Sequence, residues 1–269
     1  MAQPERRFPL SLERLGAARA AKPTLGLQRP QRPLQEAAAA PVQAAVGHGL
    51  DSQTVRAHMV ERLRQQGIED ERVLHAMGTV ERHRFVDTAL VAQAYEDTSL
   101  PIGWEQTISK PTVVARMLAL LAAAPGARVR PIKRPLGRTL EIGTGCGYQA
   151  AVLAQLASRV TSIERLGSLH HKAHDTLRQL GLRDIRLLHT DGQAGHAPNA
   201  PYDSIVSAAS GAELAPAWLE QLAIGGRLVA PVVQADGQQQ LVVIDKTSAG
   251  FQRQLHDAVH FVTLKSGHL

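Results

Sequence analysis

The pattern of apolar positions has no period over the first fifty residues and becomes regular after them. From Ser52, Val55, Met59 and Leu63 recur at helical spacing, followed by Val73, Leu74 and Met77, which predicts two small helices ahead of the main body. Residues 78–105 carry neither period and are predicted irregular. A further helix is predicted from Pro111, with proline in its first turn and Val114, Met117, Leu118 and Leu121 on its apolar face, ending at Pro125-Gly126. Beyond residue 138, short apolar runs alternate with amphipathic ones. Strands are predicted at 139–142, 159–164, 185–189, 202–209 and 226–233, and helices at 149–157, 166–180 and 215–222 between them. This alternation belongs to a parallel sheet covered on both faces. The last two apolar runs, 240–246 and 258–264, follow without a helix and are predicted as an antiparallel pair at one edge.

The expected fold class is therefore α/β: a Rossmann-like, doubly wound, mostly parallel sheet with an antiparallel C-terminal edge and small helices before the first strand. The chain has 269 residues and a net charge of +6, but the charge is unevenly placed. Residues 1–50 are rich in Pro, Ala and Arg, and 125–138 holds Arg128, Arg130, Lys133, Arg134 and Arg138 with no acid, which leaves the rest mildly acidic. A body of that sign is not built to grip a nucleic acid, so no specific nucleic-acid partner is expected. Residues 1–50 read as a basic, disordered, solvated extension; a nucleic-acid arm, a membrane-surface arm or an Arg-rich transit peptide are the other readings of such a composition. Residues 51–269 read as one catalytic domain carrying a basic insert near 125–138. One cysteine, Cys146, allows no internal disulfide. No apolar run approaches the roughly 18 residues of a membrane span, and no secretory core follows the N-terminus, so a cytoplasmic protein with no membrane partner is expected, and a monomer.

The chemistry concentrates where the first parallel strand meets its helix. There Glu141-Ile142-Gly143-Thr144-Gly145-Cys146-Gly147-Tyr148 would place backbone N–H groups and a helix N-terminus at the carboxyl end of the sheet. The nicotinamide fingerprint needs a glycine where Tyr148 stands. The G-x-G-x-G seen here resembles the first motif of class I methyltransferases. Glu164 ends the second strand about 20 residues after Gly143, where an acid can take both ribose hydroxyls of a nucleoside; an acid favoured by a helix N-terminus is the simpler account. Asp191-Gly192 ends the third strand, where the superfamily holds the adenine amino group, and an Asp-Gly turn is the simpler account there. Together the strand ends point to S-adenosyl-L-methionine as cofactor.

A closer resemblance runs from about residue 52 to 267. It is carried by Arg82 with Phe85-Val86, Ala94-Tyr95-Glu96-Asp97, Leu100-Pro101-Ile102-Gly103, Gln106-Thr107-Ile108-Ser109 before Pro111, the glycine loop, Tyr148-Gln149-Ala150-Ala151, Glu164-Arg165, Asp191-Gly192, Gly225-Gly226-Arg227-Leu228-Val229 and the stretch 259–264. On these residues the chain resembles the protein-L-isoaspartate O-methyltransferases, and the Gln-Thr-Ile-Ser-x-Pro segment is the most specific of them. The resemblance implies methyl transfer to the free α-carboxylate of L-isoaspartyl residues, and of D-aspartyl residues, in damaged peptides and proteins, with no metal. It implies Ser109 as the active-site serine; a serine capping the helix that follows is the alternative. It implies cofactor contacts from Thr107, Ile108, Glu141, Gly143, Gly145, Gly147, Glu164, Arg165, Asp191 and Gly192. Gln239 and Gln240 are implied on the substrate side.

The chain departs from the family pattern at Glu81, Glu105, Cys146, Thr190 and Thr263. Glu105 matters most, because a second negative charge beside the acceptor carboxylate would oppose it unless it points to solvent. A methyltransferase with a different acceptor, and a non-catalytic binding module, therefore remain alternatives. His170 and His174 have the spacing of a chelating pair but are expected on a solvated face. Cys146, at a helix N-terminus, is open to reading as a low-pKa thiol or as a small loop residue.

Overall fold

The computed structural model describes residues 52–269; the basic extension of residues 1–50 lies outside the described residues. Helices α1 (Ser52–Gln65) and α2 (Glu71–Thr79) come first, and Asp70 caps α2 by accepting hydrogen bonds from the Arg72 and Val73 amides. The stretch predicted irregular contains two 3₁₀ turns, Arg82–Phe85 and Thr88–Gln93, and then a small antiparallel hairpin, β1 (Leu100–Gly103) and β2 (Gln106–Ile108). The hairpin escaped prediction because its strands have four and three residues, too short for a period to register. Its turn is costly. Trp104 and Glu105 both have positive φ, +51° and +58°, a region that glycine or asparagine usually fills.

Helix α3 (Pro111–Ala122) starts on its proline as expected and buries Val114, Met117, Leu118 and Leu121. The basic insert follows. Two of its arginines serve as clamps on main-chain carbonyls: Arg130 donates to the Pro135 carbonyl at 3.1 Å, and Arg134 to those of Ala154 and, at 2.7 Å, Ala157.

Then come β3 (Gly137–Ile142), α4 (Tyr148–Leu156), β4 (Ala157–Glu164), α5 (Gly167–Gln179), β5 (Arg186–His189), β6 (Tyr202–Ser207), α6 (Pro216–Gln221), β7 (Leu222–Val233), β8 (Gln239–Thr247) and β9 (Gly250–Val259). The seven long strands form one sheet in the order β5-β4-β3-β6-β7-β8-β9. It is parallel from β5 to β7 and antiparallel from β7 to β9. Strand order reverses beside β3, and this switch point is where open α/β sheets bind ligands.

Both faces of the sheet are covered, and the pleat explains how one strand serves two cores. Leu140, Ile142, Ile205, Leu228 and Ala230 pack with Trp218 of α6 on one face. Their neighbours Val206, Val229, Leu241 and Val243 join the larger core made with α1, α2, α3 and α4 on the other. No helix among the described residues is long and apolar enough to cross a membrane.

One expected element is displaced. The edge strand is 250–259 rather than 258–264. Its side chains are mostly exposed and polar, so it carries no alternation to detect. The apolar run that suggested a strand does other work: Phe261 is buried, Thr263 bridges to Ser210, and the chain crosses over the carboxyl ends of the parallel strands.

Candidate active site

The carboxyl ends of β3 and β4 open onto a cavity of about 880 Å³, counting solvent at its mouth. It is walled by 106–109, 142–146, 148–149, 163–166, 208–209 and 262–265, with Ile102, Val114, Leu169 and Gly192. Gly143, Gly145 and Gly147 all have positive φ, so the loop turns back on itself before α4 begins. Gly147 is the N-cap of α4 in the left-handed region, and a Cβ there would lie 3.2 Å from Leu177. Gly192 is required sterically, because a Cβ would meet Ile142 Cγ2 at 2.6 Å.

Glu164 is 5 % exposed and lines the cavity. Its Oε2 accepts from the Gly145 amide and its Oε1 from the Leu166 amide, each at 2.9 Å. The acid and the glycine loop therefore hold each other in place, and each carboxylate oxygen keeps a second acceptor site. Arg165 is also in the wall, and its Nε donates to the Gly267 carbonyl at 3.3 Å. This geometry suits a nucleoside: an apolar slot, a carboxylate for paired hydroxyls, and main-chain N–H groups at a helix start.

Thr107, Ile108, Ser109, Gly143, Gly145, Glu164, Arg165 and Gly192 all meet in the cavity wall, as the sequence suggested. Five other expected residues stand elsewhere. Gly147 lies behind the loop against Leu177. Asp191 accepts from the Gln193 amide at 2.8 Å and from the Gly267 amide at 2.6 Å, so it fastens the terminal segment and is absent from the wall. Gln239 exchanges two hydrogen bonds with the backbone of Phe261, at 3.1 and 2.7 Å, and positions the crossing segment. Gln240 pairs with Ala258 in the sheet.

Glu141 also stands behind the wall. It is wholly buried on β3, where its Oε2 accepts from the Ser162 hydroxyl at 2.5 Å, which in turn lies 2.6 Å from the Thr144 hydroxyl. Its Oε1 has no partner in good hydrogen-bond geometry among the described residues, although the nearby Gln149 amide favours the ionised form. Burial pushes its carboxyl up to about 8 from an ordinary 4.5. The carboxyl thus keeps its proton in the folded chain at neutral pH, while the unfolded chain releases it. Stability is expected to be fully present below about pH 4.5 and to decline as pH rises from there through about 8. Glu141→Gln should flatten that decline relative to the parent, by several kcal/mol across the window. Denaturant midpoints between pH 5 and 8 measure it, and parallel curves for parent and variant would refute the assignment.

Ser109 has a particular position. It lies in the wall of the cavity and also in that of a neighbouring groove of mixed lining, with Asp97, Lys110, Arg116, Asp257 and His260 beside Val113, Leu241 and Val259. The N-cap of α3 is Lys110, and no side chain caps it, so the Ser109 hydroxyl is not spent on the helix. Glu105 is exposed in the hairpin turn and absent from both walls, which removes the feared repulsion. Cys146 is buried, and burial pushes its thiol up, so it is no activated nucleophile. His174 is exposed as expected, but His170 is half-buried, its ring 5.7 Å from that of His189.

Sequence reasoning missed the wall residues Ile102, Ala208 and 262–265. The stretch 259–264 matches the family, but its apolar pattern is that of a strand, which hides its place in the wall.

Comparisons with known proteins place the chain in a family. The chain is 54 % identical to a protein-L-isoaspartate O-methyltransferase of Methylibium petroleiphilum, over 98 % of this chain and 97 % of the relative. It is 56 % identical to one of Leptothrix cholodnii, over 89 % and 84 %. A Plasmodium falciparum structure bearing the same family name, in complex with S-adenosyl-L-homocysteine, superposes with a TM-score of 0.66 at 24 % identity, covering 78 % of this chain and 98 % of that one, a likeness of fold. Residues 54–269 match the family described as protein-L-isoaspartate(D-aspartate) O-methyltransferase, and the chain belongs to that family.

Proposed function

We propose that this chain is a protein repair methyltransferase, moving the methyl group of S-adenosyl-L-methionine to the free α-carboxylate of L-isoaspartyl residues in damaged proteins, with D-aspartyl residues as a second acceptor class. The observation that carries the reading is the place of Ser109, in the wall shared by the cavity at the glycine loop and a groove open to solvent. When bound, the cofactor supplies a sulfonium-activated methyl group. The chain's own residues do the rest. Glu164 takes the ribose hydroxyls, and the loop amides, Arg165 and Gly192 close around the nucleoside. Asp191 contributes by holding Gly267 at that end.

The acceptor is a carboxylate, already ionised at neutral pH, so no general base is required to generate the nucleophile. The demands are orientation and partial removal of water. In this reading the Ser109 hydroxyl donates to one carboxylate oxygen while the other attacks the methyl carbon. Thr107 and Ile108 close over the reacting centre. The backbone amide nitrogen that follows then attacks the ester carbonyl and expels methanol to give a succinimide, which water reopens partly as normal aspartate.

Residues 51–269 act in this reading as the catalytic domain of a monomer working in the cytoplasm, without a nucleic-acid partner, and residues 1–50 as a solvated extension. Transfer of labelled methyl to an isoaspartyl peptide, compared with its aspartyl twin, tests the function. Labelling is expected for the isoaspartyl peptide alone. Equal labelling of both, or of neither, would sink the proposal.

A further inference from the structure

We propose that Arg82 is a positioning residue of the acceptor site, an unneutralised guanidinium that fixes the Ser109 turn and biases the site towards an anionic acceptor; this rests on the carboxyl-methyltransferase reading above. Arg82 opens the first 3₁₀ turn and is wholly buried. A charge taken from water is costly and is normally matched by an opposite one. Here it is held by dipoles. Nε donates to the Ala94 carbonyl at 2.7 Å and Nη2 to the Ser109 carbonyl at 2.8 Å. Its Cζ lies 4.8 Å from the centre of the Tyr148 ring, a cation–π contact. Nη1 has no hydrogen-bond partner, and no carboxylate comes within ion-pair distance, among the described residues. The carboxylate of Asp97, which acts on Arg82 from farther away, is engaged by the Thr112 amide.

Two of the groups that hold Arg82, Ser109 and Tyr148, are themselves in the cavity wall. The positive charge therefore sits one layer behind the surface at which acceptor and cofactor meet. Two carbonyls and a ring face lower its energy without cancelling its charge, so an arriving carboxylate completes the pairing. The same guanidinium, by holding the Ser109 carbonyl, sets where the serine hydroxyl stands.

These two roles separate kinetically. As the carboxylate oxygen bonds to the methyl carbon, the sulfur–carbon bond breaks with its electron pair passing to sulfur, and a cation and an anion become two neutral groups. A fixed positive charge thus favours the bound carboxylate at least as much as the transition state, and its loss appears in KM. Misplacement of Ser109 appears in kcat.

The test uses Arg82→Gln and Arg82→Lys in the full chain, with an isoaspartyl peptide as acceptor and S-adenosyl-L-homocysteine as the cofactor probe. Arg82→Gln is expected to raise acceptor KM about tenfold or more, with S-adenosyl-L-homocysteine affinity within about twofold of the parent. Arg82→Lys should hold KM within about threefold and lower kcat about tenfold. A folded Arg82→Gln with the parental KM overturns the proposal, as does an equal loss of cofactor affinity in both variants, the mark of a structural role. Should the variants not fold, the parent decides. An isoasparaginyl peptide, the neutral isostere, is expected to inhibit with a Ki at least about tenfold above the KM of the isoaspartyl peptide, and equal values overturn the idea. A parent that fails to label the isoaspartyl peptide refutes the functional reading instead.

Discussion

Glu164→Ala is expected to weaken S-adenosyl-L-methionine binding by roughly 1.5 to 3 kcal/mol, the range for a hydrogen bond to a charged group, which is about tenfold to more than a hundredfold in Kd. The loss has two sources. The ribose hydroxyls lose their acceptor, and the amides of Gly145 and Leu166 lose theirs, so the glycine loop loses the partner that pre-forms it. Glu164→Gln separates them. It keeps one acceptor oxygen and nearly the same shape but puts donors where Glu164 had only acceptors. Titration calorimetry of both variants with S-adenosyl-L-homocysteine measures the effect. Binding of Glu164→Ala at the parental affinity would refute the ribose assignment.

The largest effect on stability is expected at Arg227. This side chain on β7 meets Asp245, its register partner on β8, through two parallel hydrogen bonds of 2.7 and 2.6 Å, and its third donor reaches the Leu120 carbonyl of α3 at 2.8 Å. Both partners are nearly buried, at 8 % and 5 % exposure. Removing one leaves the other as an uncompensated charge, so Arg227→Met is expected to destabilise by about 3 to 5 kcal/mol. The double variant Arg227→Met with Asp245→Leu should recover most of that loss, because a pair of apolar residues leaves no charge behind. Urea unfolding checks both. An equal loss in single and double variants would mean that the ion pair is not the origin.

What the sequence made legible follows from how locally each feature is encoded. The β3–α4 unit was readable because glycine spacing, the apolar strand and the helix period lie within twenty consecutive residues. Glu164 and Gly192 were readable because they end strands, and the carboxyl ends of parallel strands share one edge. The bond from the Gly267 amide to Asp191 is not legible, since nothing local says that residue 267 will reach it. The same holds for Gln239, whose partner Phe261 is set by the path of the chain after β9. Edge strand β9 was invisible because a solvent-facing strand needs no alternation. The role of Arg82 was hidden most completely. An arginine in an irregular stretch has no period to betray burial, and its neighbours Ala94, Ser109 and Tyr148 come from three separate parts of the chain.

The segment 262–265 closes the cavity although it lies beyond the nine strands of the described residues, while the glycine loop is complete by residue 147. This sets the order in which binding competence arises. A folding chain can form the β3–α4 unit from local contacts, but the pocket lacks a wall until the contacts of 262–264 with Ser210, about 50 residues apart, have closed, the slow class of folding event. The cofactor therefore has no complete site on a half-folded chain, and its binding free energy falls on the native state alone. An enzyme that works on damaged polypeptides is, by this construction, active only once its own chain is fully assembled.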